Sequence, residues 1–193
     1  IAVGEREEKQ IHKSGTSSGP TLLYLGRFKP QKQPHLLLDV IEGLRSAEGC
    51  ADARLIAAGE GPLLDDFLQQ VEQRGLKDAV DYQGYTDDID VLFRQADLTV
   101  LVSRYEGFPN VLVESIARGV PVVSFDCPSG PSDIIVENKN GSLISMDDIS
   151  AFINAAKDLL QNPPDREQVQ ETAEKFNPDF ILDTYEKVLG GES

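Results

Sequence analysis

With two histidines and two cysteines in 193 residues, this chain has little to offer a metal ion. His12 lies in a polar leader and His35 near a helix start, so neither a zinc cluster nor a histidine-centred triad can be assembled from them. Cys50 and Cys127 lack paired-motif spacing, which argues against a dithiol redox motif and suits a reducing compartment. Cations are scarce too: 18 Lys and Arg against 33 Asp and Glu leave a net charge of −15. Nucleic acid and anionic membrane surfaces both reward clustered Lys and Arg, so neither is an expected partner. No apolar run reaches the length of a membrane span, and the start has no basic stretch followed by an apolar one, so a soluble chain is expected. Repeats and low-complexity tracts are absent, and the length suits one domain with one substantial core.

What is there is an alternation. Residues 1–20, polar, charged and rich in Gly and Ser, read as a partly disordered linker, and residues 21–193 as the domain. Strands are expected at 21–26, 53–58, 80–85, 98–102, 120–125 and 141–144. Helices are expected at 34–44, 62–74, 88–95, 110–118, 147–160, 165–176 and 180–189. Such alternation predicts an α/β fold, a Rossmann-like parallel sheet with helices on both faces. Folds of this kind bind ligands beyond the carboxyl ends of the strands, where Arg27, residues 59–61, Gly84 and Glu106 all fall.

The stretch SRYEGFPNVLVESIARGVPVV, residues 103–123, carries the most chemistry. Glu106 lies in a loop and Glu114 on the following helix, with seven residues between them. Pro109 suits the first helical position, where its missing N–H costs nothing. The amides of Phe108, Asn110 and Val111 then form an expected anion pocket, with a carboxylate on each side to hold hydroxyls. Two solvated glutamates on a loop and an amphipathic helix are the competing reading of the pair alone. Earlier in the chain TLLYLG is followed by Arg27-Phe28-Lys29-Pro30-Gln31-Lys32, a strand, a basic turn and a helix start. Arg27 can bind a phosphate in bidentate fashion and Lys32 as a point charge, with Lys29 the competing lysine.

Together these segments resemble retaining glycosyltransferases of family four, which have the GT-B fold and an E-(seven residues)-E motif. The resemblance covers about residues 20–190, including AEKFNPDFILDTYEKVL, which is similar to the family's terminal helices. It implies that the chain is one half of a two-domain enzyme, the donor-binding half. Glu106 would then contact the donor sugar in the catalytic role and Glu114 the nucleotide ribose. Arg27 and Lys32 would neutralise the diphosphate, backbone groups of Gly84 and Tyr85 would meet the base, and the turn of Gly107, Phe108, Pro109, Asn110 and Val111 would cradle the donor. The implied reaction moves a sugar from a nucleotide donor, UDP-sugar by expectation, to an acceptor hydroxyl with retained anomeric configuration, in bacterial surface glycan synthesis such as lipopolysaccharide. No metal or other cofactor is implied. The acceptor glycan or lipid-linked saccharide would be held mainly by the missing amino-terminal domain, so this part alone should be inactive. The implied location is cytoplasmic, the full-length parent either free or peripheral at the inner face of the membrane. A sugar-nucleotide epimerase of the same fold and a non-catalytic nucleotide-binding module are the alternatives.

Three further segments carry competing chemistry. Gly59-Glu60-Gly61-Pro62 lacks the third glycine and the ribose-binding acid of a dinucleotide fingerprint, so a tight strand-to-helix turn is expected. Asp88 and Asp90 are expected to complement a helix dipole rather than hold a metal. Cys127-Pro128-Ser129-Gly130-Pro131-Ser132-Asp133 is a turn-rich loop after a strand that would allow close backbone approach to a ligand.

Overall fold

The computed structural model describes residues 19–177. Six parallel strands form one sheet: β1 (Thr21–Leu25), β2 (Arg54–Ala58), β3 (Val80–Tyr82), β4 (Leu98–Leu101), β5 (Val122–Phe125) and β6 (Gly141–Ile144). They lie in the order β3-β2-β1-β4-β5-β6. Leu23 pairs with Ile56, Leu22 with Leu98 and Val123 with Ser142. This is the doubly wound, Rossmann-like arrangement expected from the sequence. The helices are α1 (Leu36–Arg45), α2 (Leu64–Gln73), α3 (Ile89–Gln95), α4 (Asn110–Ile116), α5 (Pro131–Ile134), α6 (Ile149–Gln161) and α7 (Arg166–Glu171).

Strand periodicity decides what covers each face. In β1, Leu22 and Tyr24 enter one core cluster while Leu23 enters another. The larger cluster joins those side chains to Leu37 and Ile41 of α1, Phe67 of α2 and Phe152 of α6. The opposite face packs Ile56 against Phe93 of α3, and Leu101 and Val122 against Ile116 of α4 and Val169 of α7. Each such fully buried Leu, Ile or Phe contributes roughly 1.5–3 kcal/mol. Gly43 lets α1 approach α6, since a Cβ there would strike the side chain of Ile153. Asp148 starts α6 by accepting a hydrogen bond from the Ala151 amide at 2.9 Å.

Several boundaries differ from the sequence expectation. The strand expected at 80–85 ends at Tyr82, because Gly84 at φ 71° turns the chain out of the sheet; Gly84 and Tyr85 therefore lie in the following loop. The helix expected at 165–176 is broken into α7 and a 3₁₀ turn at Glu174–Phe176. At the break the Thr172 hydroxyl donates to the Val169 carbonyl and accepts from Asn140, which diverts the helical pattern. Residues 30–32 form a 3₁₀ turn ahead of α1, and the loop expected at 127–133 runs into the one-turn α5, which starts at Pro131. The helix expected at 180–189, and the linker expected at 1–20 apart from residues 19 and 20, fall outside the described residues. Among those described, no helix is long and apolar enough to cross a membrane.

Candidate functional site

After β1 the chain turns towards β2, and after β4 towards β5, so a crevice opens between the carboxyl ends of these two neighbouring strands. Arg27 leaves the end of β1 and Glu106 lies in the loop after β4. The two loops are knitted together. The Gln31 amide donates to the Tyr105 carbonyl at 2.6 Å, and the Arg104 N–H to the Gln31 carbonyl at 2.9 Å. Gln33, in the left-handed region at φ 45°, is nearly buried. Oriented by its neighbours, its amide donates to the Val102 carbonyl and accepts from Arg104 Nε, each at 3.2 Å. The Ser103 hydroxyl, buried at the end of β4, has no hydrogen-bond partner among the described residues.

The charged groups divide in a way that spacing could not show. Lys32 Nζ stands 2.6 Å from Glu106 Oε1, with the two side chains only 16% and 7% exposed. The lysine expected to face a diphosphate is thus bound to the glutamate expected to face a sugar. Arg27 is exposed, and its guanidinium has no partner among the described residues. Glu114, half-buried on α4, likewise has no side-chain partner there; only its carbonyl is engaged, by Arg118 Nη1 at 2.8 Å. Arg118 is fixed in turn by Asp90 at 2.6 Å and by the Phe93 ring. Asp90 is therefore one half of an ion pair at the start of α3. Among the described residues no group of three or more His, Cys, Asp or Glu is gathered closely enough to hold a metal.

The turn before α4 corrects one expectation. Pro109 precedes the helix rather than opening it: at φ −77° and ψ 85° it forms an inverse γ-turn, and the Asn110 amide donates back to the Phe108 carbonyl at 3.0 Å. Asn110 is consequently spent, and the expected three-amide pocket contracts to Phe108 and Val111, whose N–H groups have no acceptor among the described residues. Gly107 and Pro109 lie directly against Gly130, where a Cβ would press on Pro109 Cδ and the Gly107 carbonyl. The Glu106 amide reaches the Pro128 carbonyl at 3.3 Å, so the loop after β5 closes this side of the site. Phe108 is half-exposed with its ring edge-on to Phe176.

Beside Arg27 lies a cleft of about 490 Å³ lined by Leu25, Gly26, Arg27, residues 59–61, Tyr85 and Thr86. The Gly-Glu-Gly turn forms its wall, pinned by the Phe28 amide to the Glu60 carbonyl at 2.9 Å and by the Gly59 amide to the Gly84 carbonyl at 2.8 Å. Tyr85 is 68% exposed, and its hydroxyl donates to Asp87 Oδ1 at 2.7 Å, which pushes the phenol's pKa up. An exposed tyrosine ring and a glycine turn beside a cation that is unpaired among the described residues suit a nucleoside with its phosphates.

Arg27, Lys32, Glu106, Gly107, Phe108, Pro109, Asn110 and Val111 thus meet around the crevice, with Gly84 and Tyr85 at the cleft. Sequence reasoning missed the braces. Spacing in the sequence assigns no role to Gln31, Gln33 or Tyr24. Ser115, beside Glu114, is buried with its hydroxyl 2.7 Å from Thr99 Oγ1 and 2.9 Å from the Val120 carbonyl, so it ties α4 to β4. A polar residue within the apolar stripe of a helix was the available signal.

A family model described as glycosyl transferases group 1 matches residues 6–176. Over 175 residues the chain is 27% identical to the lipopolysaccharide 1,6-galactosyltransferase of Escherichia coli strain K12, covering 88% of this chain and 48% of that protein. It is 31% identical over 139 residues to the poly(ribitol-phosphate) alpha-N-acetylglucosaminyltransferase of Staphylococcus aureus strain COL, covering 72% and 28%. A solved structure of an S. aureus TarM variant in complex with Fondaparinux, alpha-GlcNAc-glycerol and UDP superposes with a TM-score of 0.76 at 27% identity, over 91% of this chain and 37% of that one. The lipopolysaccharide outer core galactosyltransferase WaaB superposes with a TM-score of 0.79 at 24% identity, over 92% and 51%. The chain thus spans about half, or less, of the length of these relatives.

Proposed function

The chain belongs to the group 1 glycosyl transferases, and from that premise we propose that it is the donor-binding domain of a retaining glycosyltransferase that builds a bacterial surface glycan from a UDP-sugar. One observation carries the reading: Arg27, unpaired among the described residues, and a largely buried Lys32–Glu106 pair stand at the switch point of a parallel sheet, next to a cleft of about 490 Å³. The UDP held by the TarM variant, which shares this fold, supports the choice of nucleotide.

In this reading the base sits against Tyr85 and Gly84 and the ribose hydroxyls are held by Glu114. The diphosphate lies against Arg27 and the amides of Phe108 and Val111, with the turn from Gly107 to Val111 around it. The bond between the anomeric carbon and the diphosphate oxygen breaks, its electron pair leaves with UDP, and the acceptor oxygen bonds to that carbon as its proton departs. Arg27 stabilises the departing charge, a preorganised electrostatic contribution. Lys32 joins it to the extent that the arriving diphosphate draws it from Glu106, and Glu106 then orients the donor sugar. The acceptor is bound by the part of the protein beyond this chain, on the cytoplasmic side of the membrane.

Because cationic side chains already compensate the diphosphate, UDP is expected to bind without added metal. Calorimetry with UDP, with and without a chelator, tests this; binding abolished by the chelator would overturn the metal-free reading. Incubating the complete parent with labelled UDP-sugar tests the activity. Label in an acceptor supports transfer, label in an isomerised sugar nucleotide shows an epimerase, and unchanged label shows a binding module.

A further inference from the structure

Tyr24 is a buried phenol to which the reaction above assigns no role. It lies in β1, its side chain in the core and its ring edge-on to Phe28 at 5.4 Å. Packing alone would be served by phenylalanine, yet the hydroxyl donates to the backbone carbonyl of Arg27 at 2.9 Å. It reaches that carbonyl beneath the corner where β1 leaves the sheet. Gly26 forms the corner, and a Cβ there would sit 3.3 Å from the Tyr24 oxygen, so the glycine leaves room for the contact. Beyond the corner, the Phe28 amide is tied to Glu60 and the Phe28 carbonyl to the Leu63 amide, both at 2.9 Å. The Arg27 carbonyl therefore sits in a turn whose next residue is already fixed by the Gly-Glu-Gly turn, and Tyr24 supplies the hold from below.

The same hydroxyl senses the other half of the site. Burial, and then the negative charge of Glu106, push its ionisation well above the ordinary phenol range, so it stays a hydrogen-bond donor at any working pH. Its donor capacity is one proton, and the Arg27 carbonyl takes it.

We infer that Tyr24 is a positioning residue for phosphate recognition: by fixing the Arg27 carbonyl it sets the direction in which the Arg27 guanidinium enters the crevice. This rests on the reading of Arg27 as the diphosphate ligand. Removing the hydroxyl leaves the Arg27 carbonyl only the amide of Lys29, two residues on at 3.0 Å, and frees the turn to relax, while the ring still fills the core. The loss therefore falls on the phosphates of a ligand and not on its nucleoside.

The test is calorimetric titration of the 193-residue chain and its Tyr24→Phe variant with UDP and with uridine. UDP affinity is expected to fall roughly three- to tenfold, with uridine affinity unchanged. Tyr82→Phe is the comparison. Tyr82 also packs on Phe28, and its hydroxyl donates to the Gly59 carbonyl at 2.8 Å in the nucleoside cleft, so its loss should affect uridine and UDP alike. In an Arg27→Ala background, Tyr24→Phe should weaken UDP no further. Equal loss of uridine and UDP in Tyr24→Phe, no loss of either, or a full additional loss in the Arg27→Ala background would each overturn the inference. Failure of the unsubstituted chain to bind UDP would overturn the proposed function instead, and this inference with it.

Discussion

Glu106 has two claimants, the Lys32 ammonium that it holds at 2.6 Å and the donor sugar assigned to it. While the pair is closed, an arriving diphosphate must compete with a carboxylate for Lys32. Glu106→Gln removes that competition at nearly constant shape. UDP should then bind the variant about fivefold more tightly, equivalent to ~1 kcal/mol, while turnover of the complete enzyme falls at least about tenfold. Weaker UDP binding in Glu106→Gln would mean that the pair organises Lys32 for the phosphate rather than withholding it. Among the described residues Glu114 has no side-chain partner to lose, so Glu114→Ala should cost only its ligand contacts. The expectation is about a tenfold or greater loss for UDP, matching ~1.5–3 kcal/mol for a hydrogen bond to a charged group. The same titration of UMP should show the same loss, since the ribose is common to both.

At the scale of elements, the crevice depends on close contact between the ends of β1 and β2. Gly59 at φ 127° brings the second turn onto the first, and a Cβ there would collide with the Gly26 carbonyl. Gly59→Ala should therefore cost roughly 2–4 kcal/mol in denaturant unfolding, combining the wrong backbone region with a backbone clash. Gly75, at φ 69° with open space around it, supplies the contrast. Gly75→Ala should cost only about 1–2 kcal/mol, the penalty of the left-handed region by itself. Equal costs would show that the Gly26 contact is not what Gly59 is for. Alternation of strand and helix was legible because each strand is a short apolar run between turn residues. The inverse γ-turn at Pro109 was not, because proline fixes φ and leaves ψ to the packing of the Gly130 loop.

At the scale of the whole molecule, three buried acidic protons among the described residues contribute to the response to alkali. Burial raises the pKa of the Cys50 and Cys127 thiols, and Glu106 adds to the rise at Cys127. Tyr24 is raised in the same direction. Above the ordinary values, 9.0 for the thiols and 10.0 for the phenol, the unfolded chain releases these protons while the folded chain keeps them. The unfolded state then binds fewer protons, the slope of stability with pH is negative, and the contribution is lost as pH rises from the unfolded pKa towards the folded one. Urea midpoints measured from pH 8 to pH 10.5 should fall, and the fall should be smaller in a Cys50→Ala, Cys127→Ala variant compared with its own value at pH 8. A flat profile would show that the thiols ionise as readily in the fold as outside it.

The order of strands and helices along the chain and the acidic balance of charge were already determined by the sequence, because periodicity, turn chemistry and charge are local properties. Arg27, Lys32, Glu106 and Glu114 could be named from two short segments for that reason. Tertiary structure alone decided how those groups are shared: the strand order β3-β2-β1-β4-β5-β6 brings residue 32 against residue 106 and leaves Arg27 and Glu114 unpaired among the described residues. It also turned Gln31, Gln33, Ser115 and Tyr24 from unremarkable residues into the braces of the site. Their partners lie across strand boundaries or under a turn, and a hydrogen bond is specified by where two chain segments meet in space, which no spacing within one segment encodes.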